Sequence, residues 1–212
     1  MRVLTILAAI ALSLWAGGLE AETLDLLKRS WISTGADNSL VRNPALFKFR
    51  GTFVRTNSEE TNIHSHFKAG GFRSLRNYIY SGQMRLADEN GGIGVTFHSQ
   101  YRRADRYYRL RSFPGNPQFH IAPHPDGIQL ITAGDSDSEV VPIPGRWYNF
   151  KVMVRTTSAR TRIRAKVWRA GTSQPGWQIN CSDESDIRIK RGKLGIWSMA
   201  AGQKKWRRLE VN

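Results

Sequence analysis

Arg160-Thr161-Arg162-Ile163-Arg164-Ala165-Lys166-Val167-Trp168 divides by simple alternation, with Ile163, Ala165 and Val167 on one side and Arg162, Arg164, Lys166 and Trp168 on the other. A period of two is that of a β-strand, whose successive side chains leave opposite faces. The stretch therefore predicts a strand with one apolar face and one cationic face. Gly92-Ile93-Gly94-Val95-Thr96-Phe97-His98-Ser99-Gln100 reads the same way, Ile93, Val95 and Phe97 opposing Thr96, His98 and Gln100. Strands buried on one side only belong to antiparallel sheets packed face to face.

Outward from these two stretches, segments rich in β-branched and aromatic residues recur around 47–55, 77–86, 106–112, 118–122, 127–132, 147–155, 177–181, 193–198 and 206–211. Clusters of Gly, Pro, Asp, Asn and Ser separate them, as in Asp88-Glu89-Asn90-Gly91-Gly92 and Pro142-Ile143-Pro144-Gly145, which is the punctuation of strands and turns. No amphipathic helix, fixed-period repeat or linker interrupts the pattern. The expected fold is all-β, an antiparallel two-sheet sandwich over residues 47–212. Residues 22–46, with leucines at 24, 26 and 27, are expected to form an N-terminal arm or a first strand region.

The N-terminus reads as an address. Arg2 precedes an apolar run over 3–15 and a small-residue stretch ending at Ala21, the pattern of a cleaved signal peptide over 1–21. The apolar run falls short of the ~20 residues that span a bilayer as a helix, so the mature chain is expected to carry no transmembrane segment and to be secreted or periplasmic. Cys181 stands alone, so no intrachain disulfide can form and the core must supply the stability.

Lysine and arginine number 32 against 17 aspartates and glutamates, a net charge of +15. Cleavage after Ala21 would remove one basic and one acidic residue, Arg2 and Glu20, and leave the imbalance intact. Such a charge concerns partners more than fold. An acidic partner is expected, and the export signal favours a glycan or cell-envelope polymer over nucleic acid.

Several motifs have a familiar ring. Tyr80-Ser81-Gly82-Gln83-Met84-Arg85, Tyr107-Tyr108-Arg109-Leu110-Arg111, Gly145-Arg146-Trp147-Tyr148-Asn149-Phe150, Gly192-Lys193-Leu194-Gly195-Ile196-Trp197 and the closing Trp206-Arg207-Arg208-Leu209-Glu210-Val211 resemble the strands of concanavalin A-like lectin/glucanase sandwiches, close to laminin-G-like domains of secreted bacterial proteins. The resemblance implies a jelly roll. Such domains often place two acidic residues after the closing aromatic, where this chain has Arg207 and Arg208. Calcium takes oxygen ligands, so the guanidinium pair argues against a metal at that corner.

The chemistry carried by this fold class can be searched for residue by residue. Glycoside hydrolysis needs two carboxylates flanking the scissile bond, but Asp135-Ser136-Asp137-Ser138-Glu139 follows Gly134 and reads as a solvated turn. Asp183-Glu184-Ser185-Asp186 reads as an acidic turn in the same way. A polysaccharide lyase needs a Tyr or His base beside side chains that neutralise a uronate; His98, Gln100, Tyr107 and Arg109 are the candidates. His64 and His66, alternate residues that could share a strand face, lack an acidic or thiol companion at metal-ligand spacing and read as a loop or surface pair. No metal is expected, and with no phosphate loop or dinucleotide fingerprint no cofactor is expected either. The leading expectation is a non-catalytic, carbohydrate-binding sandwich for acidic glycans, with Arg109, Arg111, Arg162, Arg164 and Lys166 supplying attraction and Trp168 a stacking platform.

Overall fold

A computed structural model describes residues 21–34 and 46–212. The expected signal peptide over 1–21, except Ala21, and most of the second half of the expected arm lie outside the described residues. Fifteen strands are described: β1 (Glu22–Thr23), β2 (Trp31–Ser33), β3 (Lys48–Phe49), β4 (Val54–Thr56), β5 (Ile63–Phe67), β6 (Tyr78–Leu86), β7 (Gly91–Ser99), β8 (Tyr107–Phe113), β9 (Asn116–His124), β10 (Ala133–Asp135), β11 (Trp147–Thr156), β12 (Thr161–Arg169), β13 (Ile179–Asp183), β14 (Lys193–Ala200) and β15 (Lys204–Val211). They form two antiparallel sheets. One runs β10-β13-β12-β11-β6-β15-β4-β3, with β1 joining β15, and the other runs β2-β5-β14-β7-β8-β9. The N-terminal segment thus contributes strands to both sheets.

The alternation in β12 does what its period requires. Ile163, Ala165 and Val167 are fully buried, while Arg162 and Arg164 are half-exposed on the outer face of the larger sheet. They face Ile93, Val95, Phe97, Leu110, Leu194 and Ile196 of the smaller sheet across one continuous core. Trp206 of β15 locks the two layers together: its ring is fully buried, and its indole N–H donates to the Gly94 carbonyl of β7 at 3.0 Å. Cys181 belongs to the same core, and burial pushes its thiol up to about 12, so it is no reactive thiolate.

Several local expectations are corrected. Residues 127–130 form a 3-10 helix instead of the start of a strand, because Pro125-Asp126-Gly127 makes a turn with Gly127 at φ +70°. The pair expected at the surface, His64 and His66, lies fully buried in β5. The stretch 135–139 keeps Asp135 and Glu139 exposed, with Asp137 N–H donating to Asp135 Oδ1 at 3.0 Å as in a turn, but its backbone also pairs with β9, Ile121 N–H donating to the Ser136 carbonyl and Ser138 N–H to the Phe119 carbonyl. Asp183 is no exposed turn residue but is buried, accepting the Tyr108 hydroxyl at 2.7 Å. Nor is every strand buried on one side only: β7 is buried along its whole length.

Candidate functional site

Strand parity sets the outer face of the smaller sheet. Tyr108 and Leu110 of β8 enter the core, so Tyr107, Arg109 and Arg111 point outward, beside His120 and His124 of β9, Thr96 of β7, Trp197 of β14 and His64 and His66 of β5. These side chains pack closely enough that most are buried; Arg111, His124 and the neighbouring Asp105 reach solvent. Gly195 makes the room. A Cβ there would stand 2.4 Å from both the Ser65 carbonyl and Thr96 Oγ1 and 2.7 Å from His66 Nδ1, so any side chain would expel the imidazole.

Asn62 is the hub of one half of this face. It sits at φ 55°, a left-handed conformation that asparagine tolerates better than most residues, just before β5. Its Oδ1 accepts from Arg109 Nη1 at 2.7 Å, from the Trp197 indole and, at 3.5 Å, from the Tyr107 hydroxyl. Arg109 lies over the Trp197 ring at 5.5 Å and Arg111 over the same ring at 5.4 Å. Replacing Asn62 by alanine should leave a buried guanidinium and an indole N–H without this acceptor, at a cost of about 2–3 kcal/mol. Chemical denaturation of N62A checks this; a change under about 0.5 kcal/mol would show that Asn62 is not the hub.

The other half is a chain of hydrogen bonds between imidazoles. Asp105 Oδ1 lies 2.9 Å from His64 Nε2, His64 Nδ1 lies 2.5 Å from His66 Nε2, and His66 Nδ1 lies 3.2 Å from Thr96 Oγ1. With both rings neutral, one arrangement satisfies every atom: His64 donates to the carboxylate, His66 donates to His64, and Thr96 donates to His66. The electrostatics agree. Burial lowers His64 to about 4 despite Asp105, and burial holds His66 well below its ordinary value, aided by His64. Burial also works against an ionised Asp105, but hydrogen bonds from His124 (3.2 Å) and His64 overcome it and hold the carboxyl at about 2. Burial and the adjacent Arg109 bring Arg111 down to about 9, still cationic at neutral pH.

The candidate residues divide into three groups. Tyr107 and Arg109 come together as expected, with Tyr107 stacked on His124 at 4.8 Å. His98 does not join them. A register shift between β14 and β7 and a φ of 52° at His98 reverse the alternation there, turning the ring inward, where Nδ1 meets the Tyr78 hydroxyl (2.9 Å) and Nε2 meets Thr156 Oγ1 (3.0 Å). Ser99 takes the outward place, its Oγ 3.5 Å from His66. Gln100 lies past the strand end and donates to the Arg191 carbonyl. Arg162, Arg164, Lys166 and Trp168 lie on the outer face of the larger sheet, opposite Arg109 and Arg111, so the six do not form one surface.

On that opposite face, Arg162 and Arg164 both donate to Asn180 Oδ1, at 3.1 and 3.3 Å. Lys166 donates to the Pro175 carbonyl at 3.0 Å and lies over the Trp177 ring at 4.8 Å. Trp168 lines a shallow groove of about 240 Å³ with Gln83, Asn149, Lys151 and Arg208. Sequence reading missed Asn62, Asp105, His124 and Trp197, which come from separate loops and strands; the only local signal was the alternate spacing of His64 and His66. Among the described residues, no group of three or more His, Cys, Asp or Glu side chains is arranged to hold a metal ion.

No protein-family model matches the sequence, and no curated protein matches it. Solved structures do match in shape. A protein of unknown function with a galectin-like fold from Bacillus subtilis is similar at a TM-score of 0.55 and 11% identity, covering 90% of this chain and 96% of that one. A Lotus tetragonolobus seed lectin matches at 0.54 and 8% identity over 91% and 97% of the two chains. A Bacillus licheniformis β-glucanase matches at 0.53 and 8% identity over 92% and 98%. With its two antiparallel sheets in this order, the chain has the fold of the concanavalin A-like jelly-roll sandwiches.

Proposed function

We propose that this protein is a non-catalytic, carbohydrate-binding sandwich that takes acidic glycans in the cell envelope or outside it. One observation carries the reading: the positive charge is not neutralised within the molecule. Among the described residues, Arg160–Glu184 at 3.7 Å is the one ion pair between a lysine or arginine and a carboxylate. The arginines of the larger sheet's outer face are held instead by an amide oxygen, which orients them without cancelling their charge. Guanidinium groups so placed match carboxylate and sulfate, and the half-exposed Trp168 beside them offers a face to a sugar ring. The lectin and glucanase among its structural neighbours support carbohydrate as the ligand class.

The triple variant Arg162→Gln, Arg164→Gln, Lys166→Gln tests the face. Replacing the half-exposed Arg162 and Arg164 should change folding by no more than about 0.5 kcal/mol each, whereas Lys166 is buried over Trp177 and its replacement costs more, so binding is compared between variants shown to be folded. Affinity for an acidic polysaccharide should fall about tenfold at low salt, and the gap should narrow at high salt as screening weakens exposed charge pairs. Trp168→Ala should instead cost affinity at every salt concentration. Undiminished binding by the triple variant at low salt would remove this face from the site.

A lyase is the second reading, resting on Tyr107 between His64 (4.7 Å) and His124 with Arg109 beside them; against it, Tyr107 is fully buried and burial pushes its hydroxyl above the ordinary range. Incubation with uronate-containing polysaccharides would release unsaturated product absorbance, and Tyr107→Phe would abolish it. No absorbance with any uronate substrate excludes this reading.

A further inference from the structure

Three segments far apart in sequence meet beyond the ends of β7 and β14 and enclose an open cavity of about 730 Å³. They are the 3-10 helix Gly70–Ser74, the loop after Ser99 and the stretch leading into Lys193. Arg73, Arg103, Arg106, Arg188, Lys190, Arg191 and Lys193 line it, with no aspartate or glutamate in the lining. Seven cations around one cavity repel one another, and nothing in the wall offsets them. The environment of Lys193 registers this: burial, then Arg73 and Arg103, lower its ammonium from the ordinary value.

Five of the seven cations are nonetheless held in place, Lys190 and Arg191 standing exposed at the rim. Arg73 Nε donates to the Lys68 carbonyl at 2.9 Å, Arg103 Nη2 to Gln100 Oε1 at 2.8 Å, Arg106 Nη2 to the Ile187 carbonyl at 2.7 Å, and Arg188 Nη1 to the Ser185 carbonyl at 2.9 Å. Lys193 donates to the Tyr101 carbonyl. Every one of these acceptors is neutral. Each contact fixes a side chain and leaves its charge available, which is how a site for an anion is preorganised.

We infer that this cavity is a discrete binding site for a compact polyanion carrying several sulfate or phosphate groups. The volume lies within the ~300–1,000 Å³ usual for small-ligand clefts, enough for a ligand of disaccharide size. A single carboxylate would neutralise one of the seven cations. Tetrahedral esters offer more charge and more acceptor oxygens in the same space, and a fork of guanidiniums takes them in pairs. The site is separate from the larger sheet's basic face, so it stands or falls independently of binding there.

Calorimetric titration of the whole protein with a fully sulfated disaccharide, an inositol polyphosphate and inorganic sulfate tests it, the first two separating a sulfated sugar from a phosphorylated ligand. At least one of the two polyanions should bind saturably and at least about tenfold more tightly than inorganic sulfate. The double variant Arg103→Gln, Arg191→Gln should weaken that binding by about tenfold or more, as expected when charge-assisted hydrogen bonds are lost, while the triple variant Arg162→Gln, Arg164→Gln, Lys166→Gln leaves it unchanged. Equal affinity in the parent and the double variant overturns the inference. So does the absence of saturable polyanion binding, or inorganic sulfate binding as tightly as the polyanions.

Discussion

Acidification from about pH 7 to about pH 4 is expected to remove most of the folding stability. His64 falls from 6.5 to about 4 and His98 from 6.5 to about 3, burial being the leading cause in both, and His66 moves in the same direction. Each ring is neutral when folded but binds a proton more readily when unfolded. Below pH 6.5 the unfolded chain therefore holds more protons, and stability falls with pH until the folded rings also titrate. At ~1.4 kcal/mol per unit, the loss between pH 6.5 and 4 is about 3 kcal/mol for each of His64 and His98, and His98 loses more only as pH falls from 4 toward 3. Their sum is comparable with the ~5–15 kcal/mol that holds a typical domain. Asp105 acts in a lower window: its carboxyl is held at about 2, so its contribution is present above the unfolded value and is lost only as pH falls toward 2. Thermal melts from pH 7 to pH 4 should show Tm dropping steeply below about 6.5. His98→Asn, which retains access to the left-handed backbone at φ 52° and removes the titrating ring, should flatten the lower part of the profile. A Tm unchanged between pH 7 and 4 would contradict the buried neutral histidines.

Trp206→Ala should be the most damaging single substitution considered. The ring is fully buried between the sheets, packs against Phe47 at a centroid distance of 6.2 Å, and donates across the sandwich to Gly94. Removing a large buried aromatic costs about 3–5 kcal/mol, and the Gly94 carbonyl would lose its cross-sheet donor as well. Trp206→Phe separates the two effects, because it keeps much of the volume and deletes only the hydrogen bond and part of the packing. Urea denaturation should place the alanine variant at least about 3 kcal/mol below the parent and the phenylalanine variant between them. An alanine variant within 1 kcal/mol of the parent would mean that the two layers do not depend on this tie.

The alternating strands were legible because one face of each is apolar, and β12 shows it in nine residues. That signal weakens wherever both faces are buried. Ile63-His64-Ser65-His66-Phe67 escaped notice because its outward residues are histidines buried against Tyr101 and Tyr107, and polar residues on an apolar background read as a loop. His98 was misplaced for another reason: strict alternation holds only while the ladder is regular, and the bulge beside Gly195 flips the ring from the outer face to the core. Arg109 and Arg162 stood out in two separate basic regions, but sequence shows which residues share a strand face and not which sheet the strand joins, so their placement on opposite outer faces was not legible. The cationic cavity was the least legible feature. Arg103 and Arg106 stood out as part of a basic stretch, but their meeting with Arg73 and Arg191 depends on long-range closure.

The proposed function turns on charge that no internal carboxylate neutralises, and paired glycans of the same backbone, one acidic and one neutral, test it most directly. Binding isotherms of the purified protein at low and high salt should show saturable binding of the acidic polymer, weakened by salt over the range in which the Debye length shrinks from ~30 Å toward ~3 Å, and far weaker binding of the neutral one. Equal affinity for the acidic and neutral polymers, or no binding of the acidic polymer at low salt, would contradict it.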